Sequence, residues 1–211
     1  MAKRFALFLS ALLAGAALSA QELSPIALPP PQTDGGRPLM QVLRDRASSR
    51  AFAPDPLPPQ VLSNLLWAAW GISRPDSGKR TAPSAMNKQA MDIYLALADG
   101  IYLYDAAHQQ LKPVAKGDLR ALTGTQPFVA TAPVNLIYVS GAQGGSAEDQ
   151  LIYGGAQAGF ISENVYLFCA SEGLATVVRG SVNRDPLAKT LNLAPGQKII
   201  LVQTVGNPAK R

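Results

Sequence analysis

One histidine and one cysteine in 211 residues leave this chain too poor in soft ligands to build a zinc site of the usual kind. They also fail to supply a nucleophile-base pair. His108 lies in a polar turn between two strand-like stretches, where a base would have to find its nucleophile in solvent. Cys169 has no partner for an intramolecular disulfide and sits in an apolar stretch, so it reads as a buried structural thiol. Basic residues are scattered rather than massed in blocks, and the net charge of +5 suits a small anion rather than nucleic acid. Adjacent acids such as Glu148-Asp149 fall near a helix start, where the dipole favours them, and imply no catalytic role. The Gly-rich stretch 141–146 lacks both the GxGxxG spacing and the lysine of a phosphate loop and reads as a surface loop.

What is present begins with Lys3-Arg4, an apolar run from Phe5 to Leu18 and small residues after it, the order of a secretory signal. The run is too short to span a bilayer, so no stable membrane anchor is expected. Cleavage after Ala20 is the natural reading, cleavage after Ser19 is close behind, and an uncleaved N-terminal anchor is the alternative. The mature protein would then be periplasmic or secreted. Removing residues 1–20 leaves roughly 190, a length suited to one domain. Residues 21–37 are rich in proline and read as an extended leader with no core, and the domain occupies 38–211.

Within that domain, Leu39, Val42 and Leu43 recur at helical spacing, and a second helical pattern runs from Pro58 to Ile72. Residues 73–84 read as a polar, basic loop. Residues 92–98 read as a strand, and 101–104 with 111–114 read as a hairpin. A short helix is expected over 118–122 and a buried strand over 134–139. The longest helix is expected over 149–172, with Gly155 and Gly159 at a spacing that lets another backbone approach and Gly173 as its C-cap. Strands over 175–178 and 198–205 bracket a short helix over 185–191. Mixed elements without a βαβ rhythm indicate α+β.

The residues able to hold an anion fall into blocks. Arg46-Ala47-Ser48-Ser49-Arg50-Ala51-Phe52 offers two guanidinium groups around a hydroxyl, a donor set that suits a phosphomonoester. Its structural alternative is a solvated helix end with well-placed cations. With Pro83-Ser84-Ala85-Met86-Asn87-Lys88-Gln89 leading into a strand, Glu172-Gly173-Leu174 leading to Arg179-Gly180, and a closing strand with a Gly206-Asn207-Pro208 turn and basic tail, the ordered set resembles the FMN-dependent nitroreductase family. It also resembles the branch containing azoline dehydrogenases. Ala90-Met91 stand where a Pro-aromatic pair is commoner, and Arg179 where a Glu often precedes the flavin-facing glycine.

That resemblance implies an α+β fold with a central, mainly antiparallel sheet flanked by helices, a homodimer with FMN at its interface, and hydride transfer to or from a small organic substrate. It implies cofactor contacts at Arg46, Ala47, Ser48, Arg50, Ser84, Asn87, Arg179, Gly180, Lys210 and Arg211. Arg46, Ser48 and Lys210 or Arg211 would hold the phosphate and ribityl chain, Arg50 the pyrimidine edge, and the Gly180 N–H the flavin N5. No catalytic residue is singled out, and the electron donor is left open. The alternative reading is an FMN-binding or cofactor-less secreted protein without turnover.

Overall fold

The computed structural model describes residues 22–141 and 146–210. The signal-like residues 1–20, the centre of the Gly-rich loop and Arg211 lie outside the described residues. In chain order the elements are β1 (Ile26–Ala27), α1 (Leu39–Asp45), α2 (Pro59–Trp70), β2 (Ile72–Arg74), β3 (Lys79–Arg80), β4 (Met91–Ala96), β5 (Gly100–Asp105), β6 (Gln110–Lys116), β7 (Val134–Ser140), α3 (Ala147–Glu172), β8 (Ala175–Arg179), α4 (Arg184–Thr190) and β9 (Lys198–Gly206). Short 3-10 turns occupy 75–77, 85–87, 120–123 and 127–130.

Local chemistry explains where the long helices begin and end. Pro59 opens α2 at a position where its missing N–H costs nothing. Ser146 caps α3 by accepting from the Asp149 N–H at 3.0 Å, while the Asp149 carboxylate accepts from the Ser146 N–H at 3.0 Å. At the other end Gly173 adopts φ 72°, a left-handed conformation that glycine takes without strain, and the helix stops there.

Seven strands form one sheet in the order β1-β6-β5-β4-β7-β9-β8, every neighbour antiparallel. Strand β7 lies inside the sheet with all its residues buried, as its apolar, β-branched composition demands. Alternation along β4 splits the core in two: Ile93 and Leu95 join the cluster under α2 and α3, whereas Tyr94 and Ala96 join the one under α4. The fold is thus α+β, an antiparallel sheet with helices on its faces. Cys169 is buried against the first cluster, and burial pushes its thiol well above the usual range, which suppresses the reactive thiolate.

Three expectations need correcting. Residues 73–84 are not a plain loop, because β2 and β3 pair there as a small hairpin. The short helix over 118–122 is a 3-10 turn over 120–123. The proline-rich leader has a core after all. Ile26 pairs with Leu111 on the outer edge of β6, and Leu28 is buried in the larger cluster. Beyond them the Pro29 carbonyl accepts from the buried Ser63 hydroxyl, and the Gln32 N–H donates to Asn64 Oδ1. Arg37 reaches the end of α3 through the Ala170 carbonyl and the Ser171 hydroxyl. Residues 22–37 are therefore a strap that runs from one sheet edge across α2 to α3.

The β5–β6 turn shows how a charge cluster holds a hairpin. Asp105 accepts from the Ala107 and His108 N–H groups, from Lys112 Nζ at 2.6 Å and from the His108 ring at 2.8 Å. Burial alone would raise its carboxyl, but Lys112, His108 and Gln110 outweigh that and hold it below the ordinary carboxylate range. A depressed folded pKa contributes stability above the unfolded value of ~3.9 and loses it as pH falls through the folded value. Asp105→Asn should therefore cost about 1 kcal/mol at pH 7, discounted because the Lys112 and His108 side chains are more than half exposed to solvent. Urea unfolding at pH 7 and pH 2.5 checks it, and a cost that does not shrink at the lower pH would contradict the ionic account.

Candidate functional site

The first anion-holding block leaves α1 at Arg46 and runs beside β8, the free edge of the sheet. Its Ser49 N–H donates to the Thr176 carbonyl at 2.8 Å. The tail after β9 also joins this segment: the Ala53 N–H donates to the Asn207 carbonyl at 2.9 Å, the Ala209 N–H to the Ala51 carbonyl at 3.2 Å, and Phe52 bridges Pro208. Residues more than 150 positions apart in sequence are so brought together, and Arg46, Ser48, Arg50 and Lys210 share one edge.

These cations are not spent on the fold. The Arg46 guanidinium lies 5.1 Å over the Tyr166 ring. Among the described residues no carboxylate pairs with Arg46, Arg50 or Lys210, although Arg37, Arg44 and Arg120 are each paired with an aspartate. Positive charge along one edge without internal neutralisation is what a bound anion requires. Beneath it, the Ser48 hydroxyl and the Tyr166 hydroxyl lie 2.8 Å apart, and the Tyr166 oxygen accepts from the Val178 N–H at 3.0 Å.

The second block forms a strained turn. Met86, Asn87 and Gln89 have φ of 51°, 52° and 50°, left-handed values that side chains resist. Several contacts hold them: the Gln89 N–H donates to Ser84 Oγ, and Gln89 Nε2 donates to the Gly78 carbonyl and to Asn87 Oδ1. Arg80 donates to Gln89 Oε1 and to the Trp70 carbonyl, 4.9 Å over the Trp70 ring. Strain retained at this cost, with Met86 left exposed, is characteristic of a segment shaped for contact. The turn feeds β4, three strands from β8 in the sheet order. At ~4.8 Å per strand that is roughly 14 Å. The turn thus leads into a different strand from the one that the Arg46 segment flanks.

At the third block the side chain of Arg179 departs from the expected cofactor contact. It is buried on the α4 side of the sheet, opposite Tyr166, and donates to the Thr123 carbonyl, Gln126 Oε1, Asn135 Oδ1 and Thr204 Oγ1. Alternation along β8 is the reason, since Val178 and Arg179 must point to opposite faces. Gly180 follows at the strand end, exposed, and a Cβ built on it would meet nothing within 4 Å.

Residues 43–207 match the model of the nitroreductase family. The chain belongs to that family. A solved nitroreductase-like protein of Ralstonia eutropha is 42% identical with a TM-score of 0.84, covering 90% of this chain and 91% of its own. A nitroreductase-like protein of Methanocaldococcus jannaschii is 29% identical over 172 residues, 74% of this chain and 84% of that one. A chain of the Escherichia coli microcin synthetase complex, solved with a truncated microcin precursor bound, shares the fold at 19% identity and a TM-score of 0.69, over 98% of this chain and 85% of its own.

For this nitroreductase-family chain the blocks quoted from the sequence are thus sorted into three places. Arg46, Ala47, Ser48, Arg50 and Lys210 lie at the β8 edge, Ser84 and Asn87 on the strained turn, and Gly180 at the end of β8. Tyr166 was missed by sequence reasoning. The signal that could have found it is a polar-tipped aromatic on the buried stripe of a long helix, whose hydroxyl must find a partner. Three cavities of about 510, 430 and 280 Å³ are lined by other residues, and none of these three takes in Arg46, Arg50, Gly180 or Lys210. Along the β8 edge Ala47, Ser48, Arg50 and Lys210 are exposed, a shelf open to solvent in the single chain.

Proposed function

We propose that this protein is an exported FMN-dependent oxidoreductase that works as a homodimer and transfers two electrons, as hydride, to or from a small organic substrate. The observation that carries the reading is that Arg46, Ser48, Arg50 and Lys210 sit on segments joined at one edge, with no carboxylate among the described residues paired with the cations. Family members generally use flavins, and this donor set fits a flavin that ends in a phosphomonoester.

In this reading Arg46, Ser48 and Lys210, with Arg211 beyond the described residues, hold the phosphate and ribityl chain. Tyr166 positions Ser48 and lies under Arg46. Arg50 stands nearer the pyrimidine edge, where its charge favours the reduced anion, and the open space at Gly180 admits the ring close to its N–H. Bound flavin would supply the hydride chemistry. Ser84 and Asn87, on the turn that leads into β4 three strands from β8, reach the pocket from the second subunit. Support for the dimer comes from α3, whose outward face carries exposed Ile152 and Phe160 around Gly155 and Gly159.

Export carries a consequence for the donor. Nicotinamide cofactors are cytoplasmic, so an exported enzyme draws electrons from another reductant or from the substrate itself. NAD(P)H-dependent turnover by protein located in the cytoplasm would overturn this part. Likeness in fold to a microcin synthetase chain is compatible with the azoline-dehydrogenase branch.

The first test is the visible spectrum of purified protein before and after FMN addition and desalting. Bands of bound oxidised flavin support the reading. A colourless protein that retains no FMN withdraws the cofactor and favours a binding protein without turnover. Arg46→Ala should weaken FMN binding by about 1.5–3 kcal/mol, the scale of a hydrogen bond to a charged group, or roughly 10- to 150-fold in Kd. Calorimetric titration of the apoprotein measures it, and an unchanged Kd would remove Arg46 from the phosphate site.

A further inference from the structure

The strongest unexplained feature of the molecule is the Arg179 guanidinium. It is 6% exposed, yet all four of its hydrogen-bond acceptors are neutral: the Thr123 carbonyl, Gln126, Asn135 and Thr204. Among the described residues its Nε–H has no acceptor, and the Phe128 ring lies 5.7 Å away. Among the described residues no carboxylate forms an ion pair with it, so a full positive charge is taken out of water without an opposite one. Such burial is costly unless the charge is paired. Burial pulls its pKa down to about 10 with no opposing charge to restore it, which leaves it protonated at neutral pH.

The surroundings are shaped to accept this residue. A Cβ on Gly124 would collide with Nη1, so a side chain there would push the guanidinium off its present acceptors. Asn135 and Thr204, on the neighbouring strands β7 and β9, also bond each other at 2.6 Å and form a fixed neutral cradle. An aspartate at position 135 would have neutralised the charge with little change of shape, at the loss of the bond that the Asn135 amide donates to the Val129 carbonyl at 2.9 Å. The fold carries the amide instead. Meanwhile the residue after Arg179 is Gly180, at the open end of β8.

We propose that Arg179 is a positioning residue for electron density: its uncompensated charge, buried one residue before Gly180, stabilises the reduced anionic flavin and makes the bound cofactor easier to reduce. The inference rests on FMN occupying the β8 edge as proposed above. Oxidised flavin takes up two electrons and one proton to reach the anion, so the product carries one more negative charge than the reactant. A nearby positive charge in a poorly screened interior lowers the free energy of the product more than that of the reactant. A flavin so tuned accepts hydride from weaker donors, which matches an exported protein without access to nicotinamide.

The test measures the two-electron reduction potential of FMN bound to wild type, Arg179→Gln and Asn135→Asp, by equilibration with reference dyes. FMN affinity is measured alongside. Asn135→Asp keeps the arginine and the local volume while supplying the missing counter-charge; it gives up only the bond from the Asn135 amide to the Val129 carbonyl, whose loss lowers stability but carries no charge to the flavin, so it remains informative if Arg179→Gln fails to fold. Both variants are expected to lower the ratio of reduced to oxidised FMN affinity by about tenfold, equivalent to ~30 mV for a two-electron couple. A merely structural arginine would change thermal stability and leave the potential alone. Variants that bind FMN with the wild-type potential overturn the inference while the FMN reading stands. A wild type that binds no FMN overturns both.

Discussion

Gly159→Glu is expected to turn a dimer into a monomer while leaving the subunit folded. The outward face of α3 carries Ile152, Gly155, Gly159 and Phe160 at helical spacing, with Ile152 58% and Phe160 49% exposed. Neither glycine is required by its own chain, since a Cβ at 155 or 159 would meet nothing within 4 Å. Each instead costs the isolated helix ~1 kcal/mol relative to Ala, a cost that a close partner backbone would offset. A glutamate there would be solvated in the monomer but buried without a partner in a helix-to-helix interface, at a cost of several kcal/mol. Size-exclusion chromatography with light scattering should show the wild type as a dimer and the variant as a monomer, with circular dichroism unchanged. Retention of FMN should fall with it, because Ser84 and Asn87 then have no route to the Arg46 shelf. A dimeric variant that keeps its flavin would place the interface elsewhere, and a monomeric wild type would end the dimer proposal.

That helix was also the most legible part of the sequence. Its start was announced by acids, its end by Gly173, and the chemistry at both ends is local, so a window of a few residues contains the cause. The β5–β6 hairpin, β7 and β9 were legible for the same reason. The site was legible only as residue types. Arg46, Ser48 and Arg50 form a suggestive set, but their union with Lys210 depends on hydrogen bonds between residues 51–53 and 207–209, which no local pattern reveals. Arg179 illustrates the limit more sharply. The resemblance implied a ligand contact there, whereas strand alternation turned its side chain to the opposite face, into acceptors from three separate segments. The strap was misread because its ordering comes from single residues, Ile26 and Leu28, each docked on a distant partner, and two-residue strands leave no periodicity to detect.

A chain that begins at residue 38 is expected to be much less stable than one that begins at residue 21, although a proline-rich leader would ordinarily be trimmed as dispensable. Truncation exposes the pocket that Leu28 fills, worth ~1.5–3 kcal/mol for a buried leucine. It removes the carbonyl that satisfies the buried Ser63 hydroxyl, worth ~1 kcal/mol, and the pairing that covers the β6 edge. Leu23 also packs over Gly100, where a Cβ would fall 2.6 Å from its Cδ2. A loss of at least ~3 kcal/mol corresponds to roughly 6–12 °C in melting temperature for a domain of this size. Leu28→Ala in the full chain should reproduce a large share of it. The strap also bears on the site, since Arg37 pairs with Asp45 in the last turn of α1, immediately before Arg46. Truncation should therefore weaken FMN binding beyond what Leu28→Ala does. Melting temperatures within a degree or two of each other would show that the strap rests on the surface without holding it.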